Sequence, residues 1–142
     1  MLVRDVMTRR AATVEAADTL QAAARVMREM GVGALPVTEA GEPIGFVTDR
    51  DLVIRAVAAG YDPCRAVVRS AMTAQLISCR EDEELEDAAR RMEELAVRRL
   101  VVLDERGRIA GMLSVEDLAE ASVALAAAVL QHGRDPTIPV RH

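Results

Sequence analysis

Gly45-Phe46-Val47-Thr48-Asp49-Arg50-Asp51 and Gly111-Met112-Leu113-Ser114-Val115-Glu116-Asp117 are two versions of one pattern. Each is a short apolar run that reads as a strand. It delivers a hydroxyl residue and, three positions on, an acid at the opening of a helix. One Thr-x-x-Asp or Ser-x-x-Asp is the ordinary mark of a capping box, in which the hydroxyl caps the helix and the acid reaches back to the cap's own N–H. Two copies in one chain, each introduced by Gly, direct attention to the rest of the sequence as a repeat.

The repeat extends outward in both directions. Met7-Thr8 recurs as Met72-Thr73, an offset of 65 that also relates Thr13 to Ser78, Leu20 to Leu85, Ala23 to Ala88, Met27 to Met92, Val32 to Val97 and Leu35 to Leu100. After one residue inserted in a turn the offset is 66. It then relates Gly41 to Gly107, Gly45 to Gly111, Asp51 to Asp117 and Leu52 to Leu118, with Ile44 answering to Ile109 or Ala110.

Within the first copy, Val3 to Met7 reads as a lead-in turn and Ala12 to Val14 as a brief extended piece. Asp18 to Met30 is predicted helical, with Leu20, Ala23, Ala24 and Met27 on one face and Gly31 and Gly33 closing it. Leu35 to Thr38 and Ile44 to Thr48 make a hairpin about Gly41, and a second helix runs from Asp49 to Ala59 before Gly60 and Pro63. In the second copy Glu83 to Leu95 is a helix with Leu85, Ala88, Met92 and Leu95 inward, and acids in its first turn where the helix dipole favours them. Leu100 to Leu103 and Arg108 to Ser114 form the hairpin, and a last helix runs from Val115 to about His132. Its stripe Leu118, Ala121, Leu125, Ala128, Val129 packs on the chain's own core or meets a second copy of the chain.

The expected fold is therefore α+β, each copy strand-helix-strand-strand-helix, with repeat 1 at 1–62, repeat 2 at 63–132 and a C-terminal tail at 133–142. Each copy is too small to bury a comfortable core alone. The expectation is sheet against sheet about a pseudo-two-fold axis, leaving a cleft at each hairpin-to-helix junction. The linker from Tyr61 to Ser70 is read as a tether without a fold of its own.

Composition narrows the function. The 142 residues are 51% hydrophobic and 29% charged, with a net charge of −5, which lacks the basic footprint of a nucleic-acid binder. All 18 basic residues are Arg, a side chain suited to forked contacts with phosphate or carboxylate. No run approaches the ~20 apolar residues of a membrane span and no signal-peptide core is present, so a cytoplasmic location is expected. Cys64 and Cys79 make neither a disulfide framework nor a metal spacing, and His132 and His142 have no ligand cluster nearby; no metal is expected. With only Phe46 and Tyr61 as aromatics, a ring-shaped ligand must be held by aliphatic walls and backbone rather than by stacking.

The junctions suit a nucleotide. A strand ending at a helix N-terminus offers backbone N–H groups to a phosphate, and Thr48 or Ser114 adds a hydroxyl donor. Asp51 and Asp117 each carry two acceptor oxygens, enough for both hydroxyls of a ribose, as the acid does in dinucleotide folds. The competing reading is that Thr48 with Asp51 and Ser114 with Asp117 hold only their own helices.

The lead-in Met-Thr, the helix, the Val-Gly-Ala-Leu-Pro-Val strand and the Gly-x-x-Thr-x-x-Asp junction together resemble the CBS domain. The tandem resembles a CBS pair, or Bateman module, over residues 1 to about 125. The run from Thr48 to Gly60 followed by Asp62-Pro63 is most similar to small stand-alone bacterial pairs, including the hypoxic-response type. What the resemblance implies is a non-enzymatic sensor, with no cofactor required and an adenosyl ligand (AMP, ADP, ATP or S-adenosylmethionine) in the clefts between repeats. It implies a homodimer and an unidentified protein partner that reads the ligand. The rival is a dimerisation or interaction scaffold that binds no ligand. By the same resemblance Thr48, Asp51, Ser114 and Asp117 contact ribose and phosphate. Thr13-Val14 and Ser78-Cys79 approach the base, and Ala34-Leu35-Pro36 and Arg99-Leu100-Val101 form the strand edge lining the pocket. Cys79 there is either an oxidant-sensitive wall or an inert buried thiol. The copies differ around the motif: Asp49-Arg50 against Val115-Glu116, and Gly33-Ala34 against Arg98-Arg99. The two clefts are therefore expected to differ in phosphate affinity.

Overall fold

The computed structural model describes residues 1–9 and 12–132, so the expected tail at 133–142 lies outside the described residues. The elements in chain order are β1 (Thr8–Arg9), β2 (Val14–Glu15), α1 (Leu20–Met30), β3 (Ala34–Glu39), β4 (Glu42–Thr48), α2 (Asp49–Asp51), β5 (Ser78–Arg80), α3 (Leu85–Leu95), β6 (Arg99–Leu103), β7 (Ile109–Ser114), α4 (Val115–Ala121) and α5 (Val123–His132). Short 3-10 turns occupy Val3–Asp5 and Val68–Ser70, and α2 runs on into a π-helical stretch, Leu52–Val57.

The helices form where the sequence marks them. In α1 the inward face is Leu20, Ala23 and Met27, Thr19 Oγ1 accepts from Ala22 N at 3.1 Å, and Gly31 closes the helix at φ 66°. Ala24, expected on that face, lies just outside the buried arc and is exposed. In α3 the inward residues are Leu85, Ala88, Ala89 and Met92. Leu95 was expected there too but is 47% exposed, because it sits in the final turn where the chain leaves through Ala96. Ala96 takes the left-handed conformation, φ 56°, at the position where the first copy has Gly31.

Two compact units result. Ala12–Leu76 contains the sheet β2-β3-β4, with β2 parallel and β4 antiparallel to β3. The residues from Ile77 onward, joined by the first residues of the chain, contain the sheet β1-β7-β6-β5. The expected division at residue 62 separates the repeats in sequence, while the compact units take each other's lead-ins. Val3 N and Arg4 N donate to Glu83 O and Glu81 O, and Leu85 N donates to Met1 O; 65 residues on, Val68 N and Arg69 N donate to Asp18 O and Ala16 O, and Leu20 N donates to Ala66 O. Val3 and Met7 accordingly lie in the core with Leu85, Met92, Leu100 and Leu118, while Val68 and Met72 lie in the core with Ala23, Met27, Leu35 and Val47. The linker is thus not a bare tether. The carbonyls of Pro63 and Ala66 satisfy the first N–H groups of α1, which the helix itself leaves without partners.

The hairpins explain the change of offset. Ala40 and Gly41 make a two-residue turn with φ of 52° and 82°, the primed geometry that matches strand twist. In the second copy Asp104 N donates to Arg108 O, which leaves three loop residues ending in Gly107 at φ 76°. Asp104 Oδ1 accepts from Arg106 N and Arg108 N, and these bonds, that from Arg108 foremost, hold its carboxyl below the usual carboxylate value. Each hairpin carries a bulge just before its glycine. Val37 pairs with Gly45 and Thr38 with Pro43, while Val102 pairs with Gly111 and Leu103 with Ile109, so Ala110 is the counterpart of Ile44.

Two helical expectations change. The helix after Thr48 winds wide, with Ala58 N and Tyr61 N donating five residues back to Val53 O and Ala56 O. That winding keeps Ala56 in a cluster with Leu20 and Ala71 and leaves Val53, Ile54 and Val57 exposed. The last helix is broken at Ser122, an extended residue whose Oγ accepts from Leu125 N at 3.3 Å and restarts the helix as a cap. Leu118, Leu125, Ala126 and Val129 pack on the unit's own core, whereas Ala121 is exposed.

Candidate functional site

The two junctions are built alike because the same local rules operate on each. Strand β4 ends at Thr48 with extended backbone, and the chain turns at once into α2. Thr48 Oγ1 accepts from Asp51 N at 3.0 Å, and Asp51 Oδ2 accepts from Thr48 N at 2.9 Å. Strand β7 ends at Ser114, whose Oγ accepts from Asp117 N at 3.2 Å while Asp117 Oδ2 accepts from Ser114 N at 3.0 Å. Both capping boxes are complete. The cap therefore engages Oδ2 of each acid, and Oδ1 is the oxygen through which Asp51 and Asp117 meet their surroundings. The expectation was that both carboxylate oxygens serve a ribose; here Oδ2 of each acid is engaged by its own cap.

What Oδ1 meets differs between the copies. Asp117 Oδ1 accepts from the hydroxyl of Thr8 at 3.1 Å. Asp51 Oδ1 stands 3.6 Å from Arg55 Nε, and Arg55 Nη1 donates to Met72 O at 3.1 Å. Thr48 and Asp51 are each only 1% exposed, whereas Ser114 and Asp117 are half-buried. Charge differs too. The Asp49 carboxylate lies so close over Gly33 that an added Cβ would meet its Oδ2 at 3.0 Å, and in the second copy that backbone position belongs to Arg98.

Gly45 and Gly111 are required by close approach. A Cβ on Gly45 would fall 2.1 Å from Thr73 O, and one on Gly111 would fall 2.2 Å from Thr8 O. The bare backbone lets each lead-in lie across the hairpin. Phe46 N donates to Thr73 O at 3.1 Å and Phe46 O accepts in return from Thr73 N at 2.8 Å, while Thr8 and Arg9 pair with Met112 and Gly111.

Strand pairing sorts the remaining candidates by face. Ala34 lies opposite Thr48 and Pro36 opposite Phe46, while Arg99 lies opposite Ser114 and Val101 opposite Met112, so these residues share the face of the junction hydroxyls. Leu35 and Leu100 point the other way, into the cores with Val47 and Leu113, and Val14 and Cys79 are core residues as well. Their side chains do not face the junctions, because alternate residues of a strand point to opposite sides. Strands β3 and β6 are also interior to their sheets rather than edges. Thr13 is exposed beside β2, and Ser78 is half-buried at the start of β5. Burial, reinforced by Glu83, pushes the Cys79 thiol up to about 12, partly offset by Arg91, which makes it the inert buried thiol of the two expectations.

Thr8, Thr73 and Arg55 were not singled out from the sequence. The Met-Thr repeat contained the first two, and the four-residue spacing from Asp51 to Arg55 on one helical face would have found the third. Among the described residues no group of three or more His, Cys, Asp or Glu is placed to hold a metal ion, and no helix is long and apolar enough to cross a membrane.

Comparison with known proteins agrees with this geometry. The family model for the CBS domain matches residues 3–57 and again 68–124. The chain is 38% identical over 117 residues to a CBS domain-containing protein, YhcV, of Bacillus subtilis, covering 82% of each. It is 35% identical to hypoxic response protein 1 of Mycobacterium tuberculosis, covering 82% of this chain and 81% of that one. It spans only 65% of a Methanopyrus kandleri relative, MK0525, that is 34% identical. Among solved structures, Hypoxic Response Protein I with two coordinated zinc ions superposes with a TM-score of 0.76 at 33% identity, over 86% of this chain and 99% of that chain. CBSX2 in complex with AMP does so with a TM-score of 0.71 at 29% identity, over 87% of this chain and 97% of that chain.

Proposed function

The chain belongs to the CBS domain family, and on that premise we propose that it is a regulatory, non-enzymatic sensor of an adenine nucleotide or related adenosyl ligand. The observation that carries this reading is the twice-built junction. Each acid secures its helix with Oδ2, and at the second junction the half-buried Asp117 turns Oδ1 to a hydroxyl, that of Thr8, the kind of contact a ribose hydroxyl would make. The AMP complex of CBSX2 supports the choice of ligand class. The second junction is the better placed of the two: Ser114 and Asp117 are half-buried rather than sealed, and Arg98 and Arg99 bring positive charge for a phosphate. Ala34, Pro36, Thr48 and Asp51 would serve the first site, and Arg99, Val101, Ser114 and Asp117 the second. Thr13 and Ser78 complete them on the base side. The protein is read as a cytoplasmic homodimer whose ligand-dependent conformation is sensed by a protein partner. Coupling of that kind requires different ligand affinity in the two conformations.

With one Tyr and no Trp, the protein absorbs weakly at 280 nm, so a co-purified nucleotide would dominate its spectrum near 260 nm. Calorimetric titration with AMP, ADP, ATP and S-adenosylmethionine then identifies the ligand, and Asp117→Ala should abolish the tighter binding event. One observation favours the scaffold instead: both caps are complete, and the Asp51 side chain is entirely buried. A protein-only spectrum, with no heat and no thermal shift from any of the four ligands, would decide for the scaffold.

A further inference from the structure

We propose that Arg55 is an internal occupant of the first junction, holding it closed so that the second junction is the one open to ligand. This rests on the sensor reading above.

The two copies offer the same acid two different partners. At the second junction Asp117 Oδ1 is met by a neutral hydroxyl, that of Thr8, at 3.1 Å. The counterpart of Thr8 at the offset of 65 is Thr73, and Thr73 does not repeat the bond. Its Oγ1 is buried without a hydrogen-bond partner, and the residue is 8% exposed. Thr73 is nevertheless held by the same backbone pairing to its hairpin as Thr8. What has changed is the partner of the acid. Arg55 bridges from Asp51 Oδ1, at 3.6 Å, to the carbonyl of Met72, at 3.1 Å, so the guanidinium ties the acid to the lead-in where the second copy uses a hydroxyl. The counterpart of Arg55 at the offset of 66 is Ala121, which can make no such bridge.

A buried hydroxyl left without a partner is costly and calls for an explanation. The explanation is that Arg55 takes the place on Asp51 that the Thr8 hydroxyl takes on Asp117. The guanidinium brings a full positive charge to Asp51 and is itself anchored on the Met72 carbonyl, whereas Asp117 Oδ1 holds a neutral hydroxyl that a ribose hydroxyl can replace in kind. Arg55 is itself 42% exposed, so it has solvent into which to swing, and the closure is reversible. An anionic ligand group would compete for the same guanidinium. The first junction then opens only at ligand concentrations well above those that fill the second.

The test is calorimetry with AMP, ATP and S-adenosylmethionine on wild type, Arg55→Gln, Asp117→Ala and Ala121→Arg, with circular dichroism to verify folding and Arg55→Met as the substitute if Arg55→Gln does not fold. Wild type should show about one tight site per chain, lost in Asp117→Ala. Arg55→Gln should reveal a second site at least about tenfold tighter than wild type shows there, and that site should vanish on adding Asp51→Ala. Ala121→Arg should weaken the second junction by about tenfold. Two equal sites in wild type overturn the proposal, as does weaker binding in Arg55→Gln, which would make Arg55 a ligand contact. No change in either arginine variant also overturns it, with the sensor reading left standing. If no variant binds any of the three ligands, the sensor reading itself fails and takes this inference with it.

Discussion

Val3→Ala tests the exchange of lead-ins, because it perturbs the first residues of repeat 1 and should damage repeat 2. Val3 is wholly buried and packs in the core that contains Leu85, Met92, Leu100 and Leu118. Removing two methyl groups forfeits roughly 1.6 kcal/mol of transfer free energy at ~0.8 kcal/mol each. The roughly 50 Å³ they vacate adds up to about 1 kcal/mol if the surroundings do not collapse. The expected loss is therefore about 2–3 kcal/mol, a large share of the roughly 5–15 kcal/mol that holds a domain together. Urea unfolding measures the total. Amide chemical shifts and hydrogen exchange locate it: the changes should concentrate in residues 77–129, with the earliest loss of protection in α3, β6 and β7. The matching change, Val68→Ala, should act on α1, β3 and β4. If Val3→Ala perturbed mainly residues 12–61, or cost less than about 0.5 kcal/mol, the assignment of the lead-in to the second core would be wrong.

Two other expectations follow from local geometry. Ala96 sits at φ 56° where Gly31 sits at 66°, and nothing lies within 4 Å of a Cβ built on Gly31. Ala96→Gly should therefore stabilise the protein by about 1 kcal/mol and Gly31→Ala should destabilise it by a similar amount, both read from denaturant midpoints; the same sign for both would refute the left-handed cap. Cys79, with its thiol at about 12, is about one-thousandth thiolate at pH 9, whereas Cys64 is exposed. A thiol reagent should modify Cys64 in the native protein and reach Cys79 only on unfolding. Because the folded value of Cys79 lies above the ordinary 9.0, its contribution to stability is flat below pH 9 and falls between 9 and about 12. Fast labelling of both thiols in the native state would refute the burial.

Much of this architecture was legible because the repeat repeats its own physics. The inward Leu20, Ala23 and Met27 of α1, the glycine turns and the Thr-x-x-Asp and Ser-x-x-Asp caps are local patterns, with spacing dictated by helix and strand geometry, and each appears where it was expected. The departures are tertiary. Leu95 satisfies the helical period but falls in the last turn, beyond the core. Ser122 breaks a helix whose apolar pattern runs straight through it, because a serine cap competes with continuation. Leu35 and Leu100 fall within the right strands, but which face of a strand meets the core depends on register, and one residue reverses it. The bulge that identifies Ala110 with Ile44 is a property of the pairing and leaves no mark in either strand alone.

The lead-ins serve both the cores and the junctions. Met7 closes a core and Thr8, the next residue, donates to Asp117; Met72 closes the other core, its carbonyl accepts from Arg55, and Thr73 is buried beside its hairpin. Gly45 and Gly111 make both arrangements possible, because any side chain there would strike the lead-in backbone. Stability and the state of each junction are thus set by the same few residues. On the proposed reading, a group that took Oδ1 of Asp117 would displace a hydroxyl whose chain neighbour, Met7, is packed in the core of that unit. At the first junction the displaced group is a guanidinium that also holds the Met72 carbonyl, and its release would loosen the lead-in itself. Two junctions with the same cap thus differ in what meets the second oxygen of the acid, and the proposed difference in ligand affinity rests on Arg55 standing in one copy where the other has Ala121.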